Sequence, residues 1–128
     1  DHRAGNPTGA VIPRAVIEAI VRIAEAYDLW LISDEIYKRL VYGEAVATSL
    51  AELAYDRTIT VNGASKAFAM TGWRIGFAAA PLEVAKAMAN FQDQLTSNPT
   101  SFAQAGAVLA FANGMDAEVE AISSIGAT

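Results

Sequence analysis

The chain predicts an α/β fold, and three observations carry the prediction. Short apolar runs, Leu29–Ile32, Thr58–Val61 and Ile75–Ala80, alternate with longer segments of helical periodicity. The first run is continuous rather than alternating, the pattern of a strand covered on both faces. Polar residues follow the first two runs at once, Ser33-Asp34-Glu35 and Asn62-Gly63-Ala64-Ser65-Lys66. That is where open α/β sheets gather functional groups.

Each element has a local reason. Gly5-Asn6-Pro7-Thr8-Gly9 is a turn cluster in which Asn6, before a proline, is pushed toward extended geometry. Pro13 stands where a helix begins, and Arg14 to Tyr27 follows with Val16, Ile20, Ile23 and Tyr27 at helical spacing. Ile17, Val21 and Ala24 lie beside them, with Arg14, Glu18, Arg22 and Glu25 opposite, so an amphipathic helix is expected. Asp28 ends it before the first strand. Tyr42-Gly43-Glu44 reads as a turn, and Ser49-Leu50-Ala51-Glu52 has the capping-box spacing of a short helix. Arg57 leads into the second strand, and Pro81 closes the third. Leu82 to Leu95 predicts a second amphipathic helix with Val84, Met88 and Phe91 on its apolar side. Asn98-Pro99 reads as the cap and first residue of a last helix, running to about Asn113 and closed by Gly114. Its Phe102, Ala105, Gly106, Leu109 and Ala112 suggest close packing, and residues 115–128 carry only a weak helical pattern.

Composition narrows the function. The 128 residues, 53% hydrophobic and 18% charged, supply ample apolar surface for a packed core and argue against disorder. Nine basic against 14 acidic residues give a formal charge of −5, which leaves no electrostatic footprint for nucleic acid and no polybasic segment for a membrane surface. The absence of cysteine excludes disulfides, thiolate catalysis and cysteine-ligated zinc. The start lacks a signal-peptide pattern and no apolar run approaches a membrane span, so a soluble, cytoplasmic protein is expected.

The candidate site residues come from both strand ends. Lys66 stands among the small residues Gly63, Ala64, Ser65 and Ala67, which lets its amine reach a pocket mouth, and Arg74 follows eight residues later. Asp34 ends the first apolar run, and Tyr37, three residues on, shares its side if a helical turn follows. Each has a plainer reading on its own: a loop cation, a carboxylate at a helix start, a packing ring, a surface arginine. An apolar strand ending in Asp-Glu also occurs in P-loop ATPases. Neither a G-x-x-x-x-G-K-[ST] loop nor G-x-G-x-x-G is present, which disfavours a nucleotide-binding module.

Taken jointly, Asn6-Pro7-Thr8-Gly9, Ser33-Asp34-Glu35-Ile36-Tyr37 and Gly63-Ala64-Ser65-Lys66 running to Gly72-Trp73-Arg74-Ile75-Gly76 closely resemble the class I/II aminotransferases. These are pyridoxal-phosphate enzymes of fold type I. The segment Ala67 to Arg74 looks most like the aspartate aminotransferase group. The resemblance implies a mixed, mostly parallel sheet flanked by helices, with the strand after Arg74 antiparallel, and pyridoxal 5'-phosphate as cofactor. It implies that Lys66 forms the internal aldimine and later carries the proton between the substrate Cα and the cofactor C4′. Asp34 would pair with the pyridine nitrogen, Tyr37 and Asn6 with the ring 3-oxygen, and Asn6 also with the substrate carboxylate. Arg74 would grip the phosphate, with Ser65 beside the lysine among the cofactor contacts. Gly63 stands where some relatives carry a hydroxyl that touches the phosphate. The implied reaction is ping-pong transfer between an amino acid, aspartate-like by preference, and a 2-oxo acid, by a homodimer in the full-length family. The resemblance spans nearly all of residues 1–128 but only the middle and later part of the family's large domain, so turnover by these residues alone is not expected. A non-catalytic α/β domain that keeps the motifs is the alternative.

Overall fold

The computed structural model describes residues 5–41, 45–53 and 55–113. Helix α1, Arg14–Ala26, starts where proline permits: the Pro13 carbonyl accepts from the Val16 and Ile17 N–H groups at 2.9 and 3.2 Å. Arg14 Nε pairs with Glu18 Oε1 one turn on, at 2.9 Å. Asp28, left-handed at φ 56°, turns the chain out of the helix, and the Tyr55 hydroxyl pins the corner by donating to the Ala24 and Leu29 carbonyls at 3.2 and 2.6 Å. The stripe that α1 buries is Ile17, Val21 and Ala24. Val16, Ile20, Ile23 and Tyr27, expected to lead the packing, stay exposed. Both sets fit helical periodicity, and the two apolar stripes lie side by side, so periodicity gives the helix but not which stripe turns inward.

Three strands form one sheet in the order β1-β2-β3, with β1 Leu31–Asp34, β2 Thr58–Gly63 and β3 Gly76–Ala79. β1 and β2 are parallel, with Asp34 opposite Val61, whereas β2 and β3 are antiparallel, with Gly63 opposite Gly76. The sheet is therefore mixed, as the resemblance implies. β1 begins two residues later than the apolar run and extends through Asp34. Its expected two-faced burial is not observed: Leu31 and Ser33 are half-buried, while Ile32 is 72% exposed. Successive strand residues point to opposite faces, and the described residues cover only one of them.

Helix α2 is the single turn Ala64–Ala67, and α3, Leu82–Leu95, spans the expected residues. Helix α4 runs Ser101–Ala112, starting two residues later than expected. Asn98 does not cap it, because its Nδ2 donates to the Pro99 carbonyl at 2.8 Å and so satisfies none of the helix's free N–H groups. α4 buries Ala103 and Ala107 rather than Phe102 and Leu109. Phe111 makes edge-to-face contacts with Phe68 and Phe77, at 4.6 and 5.6 Å between ring centres. Gly106 fits under the Trp73 indole, where a Cβ would clash with ring carbon Cζ3. Among the described residues no helix is long and apolar enough to cross a membrane. The expected turn at Tyr42-Gly43-Glu44, the stop at Gly114 and the pattern in residues 115–128 lie outside the described residues.

Candidate active site

Topology brings the sequence candidates to one sheet edge. Parallel β1 and β2 finish at the same edge, and antiparallel β3 starts there. Asp34 is the last residue of β1, Lys66 follows β2 by three residues, and Arg74 precedes β3 by two. This is the carboxyl edge, where an open α/β sheet leaves room for a ligand.

The turn after β1 is stapled to its neighbour. The Glu35 N–H donates to the Val61 carbonyl at 2.8 Å, prolonging the ladder by one bond. Asp34 Oδ1 accepts from the Ile36 N–H at 3.1 Å, an Asx turn. The Lys38 and Leu40 N–H groups then donate to the Glu35 and Tyr37 carbonyls at 2.9 and 2.8 Å. These bonds place Tyr37 beside the second strand end, with Lys66 Nζ 5.5 Å from its ring centre.

Backbone pairing closes the lysine segment. The Ala64 N–H donates to the Ile75 carbonyl at 3.1 Å, so residues 64–75 leave and rejoin the sheet at one point. Gly63 is extended there, at φ −176°, and its role is steric. A Cβ would lie 2.8 Å from the Ile75 carbonyl oxygen and 3.3 Å from Ile36 Cδ1, so only glycine lets the strands approach this closely. Ala64 and Ala67 are buried in α2, leaving Ser65 and Lys66 half-buried on its outer side. Ala69 and Arg74 are left-handed, at φ 52° and 56°, and Arg74 Nη1 donates to the Thr71 carbonyl at 3.2 Å.

Among the described residues, the ion pairs involve Arg14, Lys38, Arg57 and Lys86, and neither Lys66, Arg74 nor Asp34 takes part in one. Asn6 lies in an exposed turn closed by the Gly9 N–H on the Gly5 carbonyl, 2.6 Å. Gly5 and Asp34 line the same cavity of about 220 Å³, together with Ile17, Glu35 and Lys38. Lys66 and Tyr37 are thus brought together, Arg74 shares the lysine segment, and Asn6 reaches the site only through its turn. Neither Asn6 nor Ser65 has a side-chain hydrogen-bond partner among the described residues.

Sequence reasoning missed the support beneath this edge. Glu35, read as half of an acidic pair, is 9% exposed and holds Ser33, Ser49 and Leu50. The Ser49–Glu52 spacing was the available signal. The Glu52 half of the capping box forms, with the Ser49 N–H on Glu52 Oε1 at 3.1 Å at the start of the 3₁₀ turn Leu50–Leu53, while the Ser49 hydroxyl accepts from the Ala51 N–H at 3.3 Å. The Ser49 N–H, and then Lys38 Nζ at 3.2 Å, hold the Glu52 carboxyl below its ordinary value of 4.5. Among the described residues no cluster of three or more metal-ligating side chains occurs.

Known proteins match this chain along most of its length. The family model for aminotransferase class I and II matches residues 3–124. The aspartate/prephenate aminotransferase of Thermus thermophilus is 52% identical over 108 residues, covering 84% of this chain and 28% of that protein. The aspartate aminotransferase of Bacillus subtilis is 42% identical over 118 residues, covering 90% and 30%. The Thermus thermophilus aspartate aminotransferase structure with maleate superposes at a TM-score of 0.89 with 48% identity, covering 94% of this chain and 32% of that one. The fold is thus that of the fold type I transferases. The chain belongs to the class I and II aminotransferases, enzymes that use pyridoxal 5'-phosphate. It spans less than a third of the length of the curated relatives it matches.

The residues at the edge fit that cofactor. An amine, a carboxylate, a phenol and a guanidinium match an aldehyde, a pyridine nitrogen, a ring oxygen and a phosphate in turn.

Proposed function

We propose that residues 1–128 form part of the large domain of an aspartate aminotransferase-like enzyme and carry most of its cofactor-anchoring groups. One observation supports this above all: Asp34, Lys66 and Arg74, none of them in an ion pair among the described residues, stand at one sheet edge, with the Lys66 amine beside Tyr37.

The chain's residues divide the work. Lys66 Nζ would hold the cofactor through its aldehyde, and its free amine would take the proton from the substrate Cα. The Asp34 carboxylate holds a proton on the pyridine nitrogen. The cofactor, when bound, supplies the electron sink for the pair released at Cα. The Tyr37 hydroxyl and the Asn6 amide orient the ring through its 3-oxygen, and Asn6 also meets the substrate carboxylate. The Arg74 guanidinium holds the phosphate, where a planar fork matches two oxygens at once, and Ser65 adds a hydroxyl beside the lysine. Gly63 brings no side chain to the phosphate, and its place in the sheet explains why.

Aspartate as donor and 2-oxoglutarate as acceptor are the favoured substrates, since relatives at 42–52% identity are named for aspartate. The reading extends to a cytoplasmic homodimer, as the family resemblance implies. Aspartate added to protein loaded with pyridoxal phosphate is expected to abolish the visible absorption band, and 2-oxoglutarate to restore it. A band held at Lys66 that no amino donor changes would contradict transamination and support a non-catalytic domain that retains the cofactor.

A further inference from the structure

We propose that Glu35 is a positioning residue: its buried carboxylate sets the turn that presents Asp34 and Tyr37. Its side chain is almost fully enclosed. Four groups converge on it. The Ser49 hydroxyl lies 2.7 and 2.8 Å from its two oxygens, the Ser33 hydroxyl and Leu50 N–H each donate to Oε1 at 3.1 Å, and Lys38 Nζ lies 3.8 Å from Oε2.

These partners belong to separate parts of the chain. Ser33 is in β1, Lys38 ends the turn, and Ser49 and Leu50 begin the 3₁₀ turn fourteen and fifteen residues away. One carboxylate therefore ties the strand, the turn and the 3₁₀ segment at a point flanked by Asp34 and Ile36. Lys38 extends the tie to Glu52, and Glu52 to Arg14 of α1, at 3.2 and 3.7 Å. Among the described residues the turn has one backbone bond to the sheet beyond β1, the Glu35 N–H on Val61. With the carboxylate removed, the donors of Ser49 and Leu50 lose their acceptor in a buried setting and the turn keeps only its internal bonds.

The bracing stands on geometry alone. That it serves cofactor placement rests on the function proposed above, so the two are measured separately. Amide exchange in protein without cofactor tests the bracing. Glu35→Ala is expected to speed exchange at Ile36, Lys38 and Leu40 by about tenfold or more, while Ile17→Val, which destabilises α1, leaves these amides unchanged relative to the rest. Acceleration confined to Leu50 would overturn the inference. Glu35→Gln keeps one carbonyl acceptor but loses the second oxygen and the charge, so it is expected to give a smaller, several-fold increase at the same amides. Where Glu35→Ala does not fold, Glu35→Gln decides: a several-fold increase at the same three amides supports the bracing, and wild-type exchange there overturns it. Cofactor titration follows. Wild-type protein that takes up no pyridoxal phosphate at Lys66 refutes the proposed function and leaves the exchange result standing. Where wild type does bind, Glu35→Gln is expected to move the pH midpoint of the visible band, and an unmoved midpoint with unchanged affinity would overturn the role in placement.

Discussion

The two supports of the site edge are built differently. The Asp34–Tyr37 turn is held by a buried carboxylate and its donors, whereas the Lys66–Arg74 segment is held by close backbone approach. In the first, each bond has a donor and an acceptor that substitution can weaken by degrees. In the second, Gly63 lies against the Ile75 carbonyl and Gly106 under Trp73, where a single added methyl group has nowhere to go. A polar support makes the Asp34 side adjustable, and a steric one makes the lysine side all-or-none.

That contrast breaks most sharply at Gly63. Gly63→Ala places a Cβ 2.8 Å from the Ile75 oxygen, so β2 and β3 must separate. A loss of about 1–3 kcal/mol is expected by denaturant titration, together with loss of cofactor uptake. An unchanged midpoint would remove the steric account of this segment. Arg74→Ala comes next: it is expected to weaken pyridoxal phosphate about tenfold to a hundredfold while leaving phosphate-free pyridoxal nearly unaffected, as measured by absorption titration. Equal weakening of both ligands would place Arg74 outside the phosphate contact. The smallest effect belongs to Glu52. Its carboxyl is held below 4.5, so its stabilising contribution is complete above that value and is lost as pH falls through the lowered one. Amide exchange at Ser49 is expected to rise in that acidic range, and Glu52→Gln to abolish the rise. A persisting rise would assign it to another group.

The candidate site residues stand out in the sequence more plainly than the packing does, for a physical reason. Lys66, Asp34, Tyr37 and Arg74 are chemical types whose order and spacing carry meaning without coordinates, and the parallel and antiparallel strands then bring them to one edge. The strands and helices were legible from apolar runs, proline and spacing, with boundaries displaced by about two residues at β1 and α4. What hydrophobicity does not encode is direction. Ile32 and Leu31 are equally apolar, yet only one faces cover, and in α1 Val21 is buried beside an exposed Ile20. Glu35 was hidden for the opposite reason, because its partners Ser49 and Leu50 become neighbours only once the chain folds.

The central claim is that one cofactor site is assembled around Lys66. The most direct test is to add pyridoxal phosphate to the purified protein, reduce with borohydride and map the modified peptide by mass spectrometry. A visible absorption band before reduction and label confined to Lys66, absent from Lys66→Ala, are expected. Label scattered over Lys38, Lys66 and Lys86, or none at all, would contradict the claim.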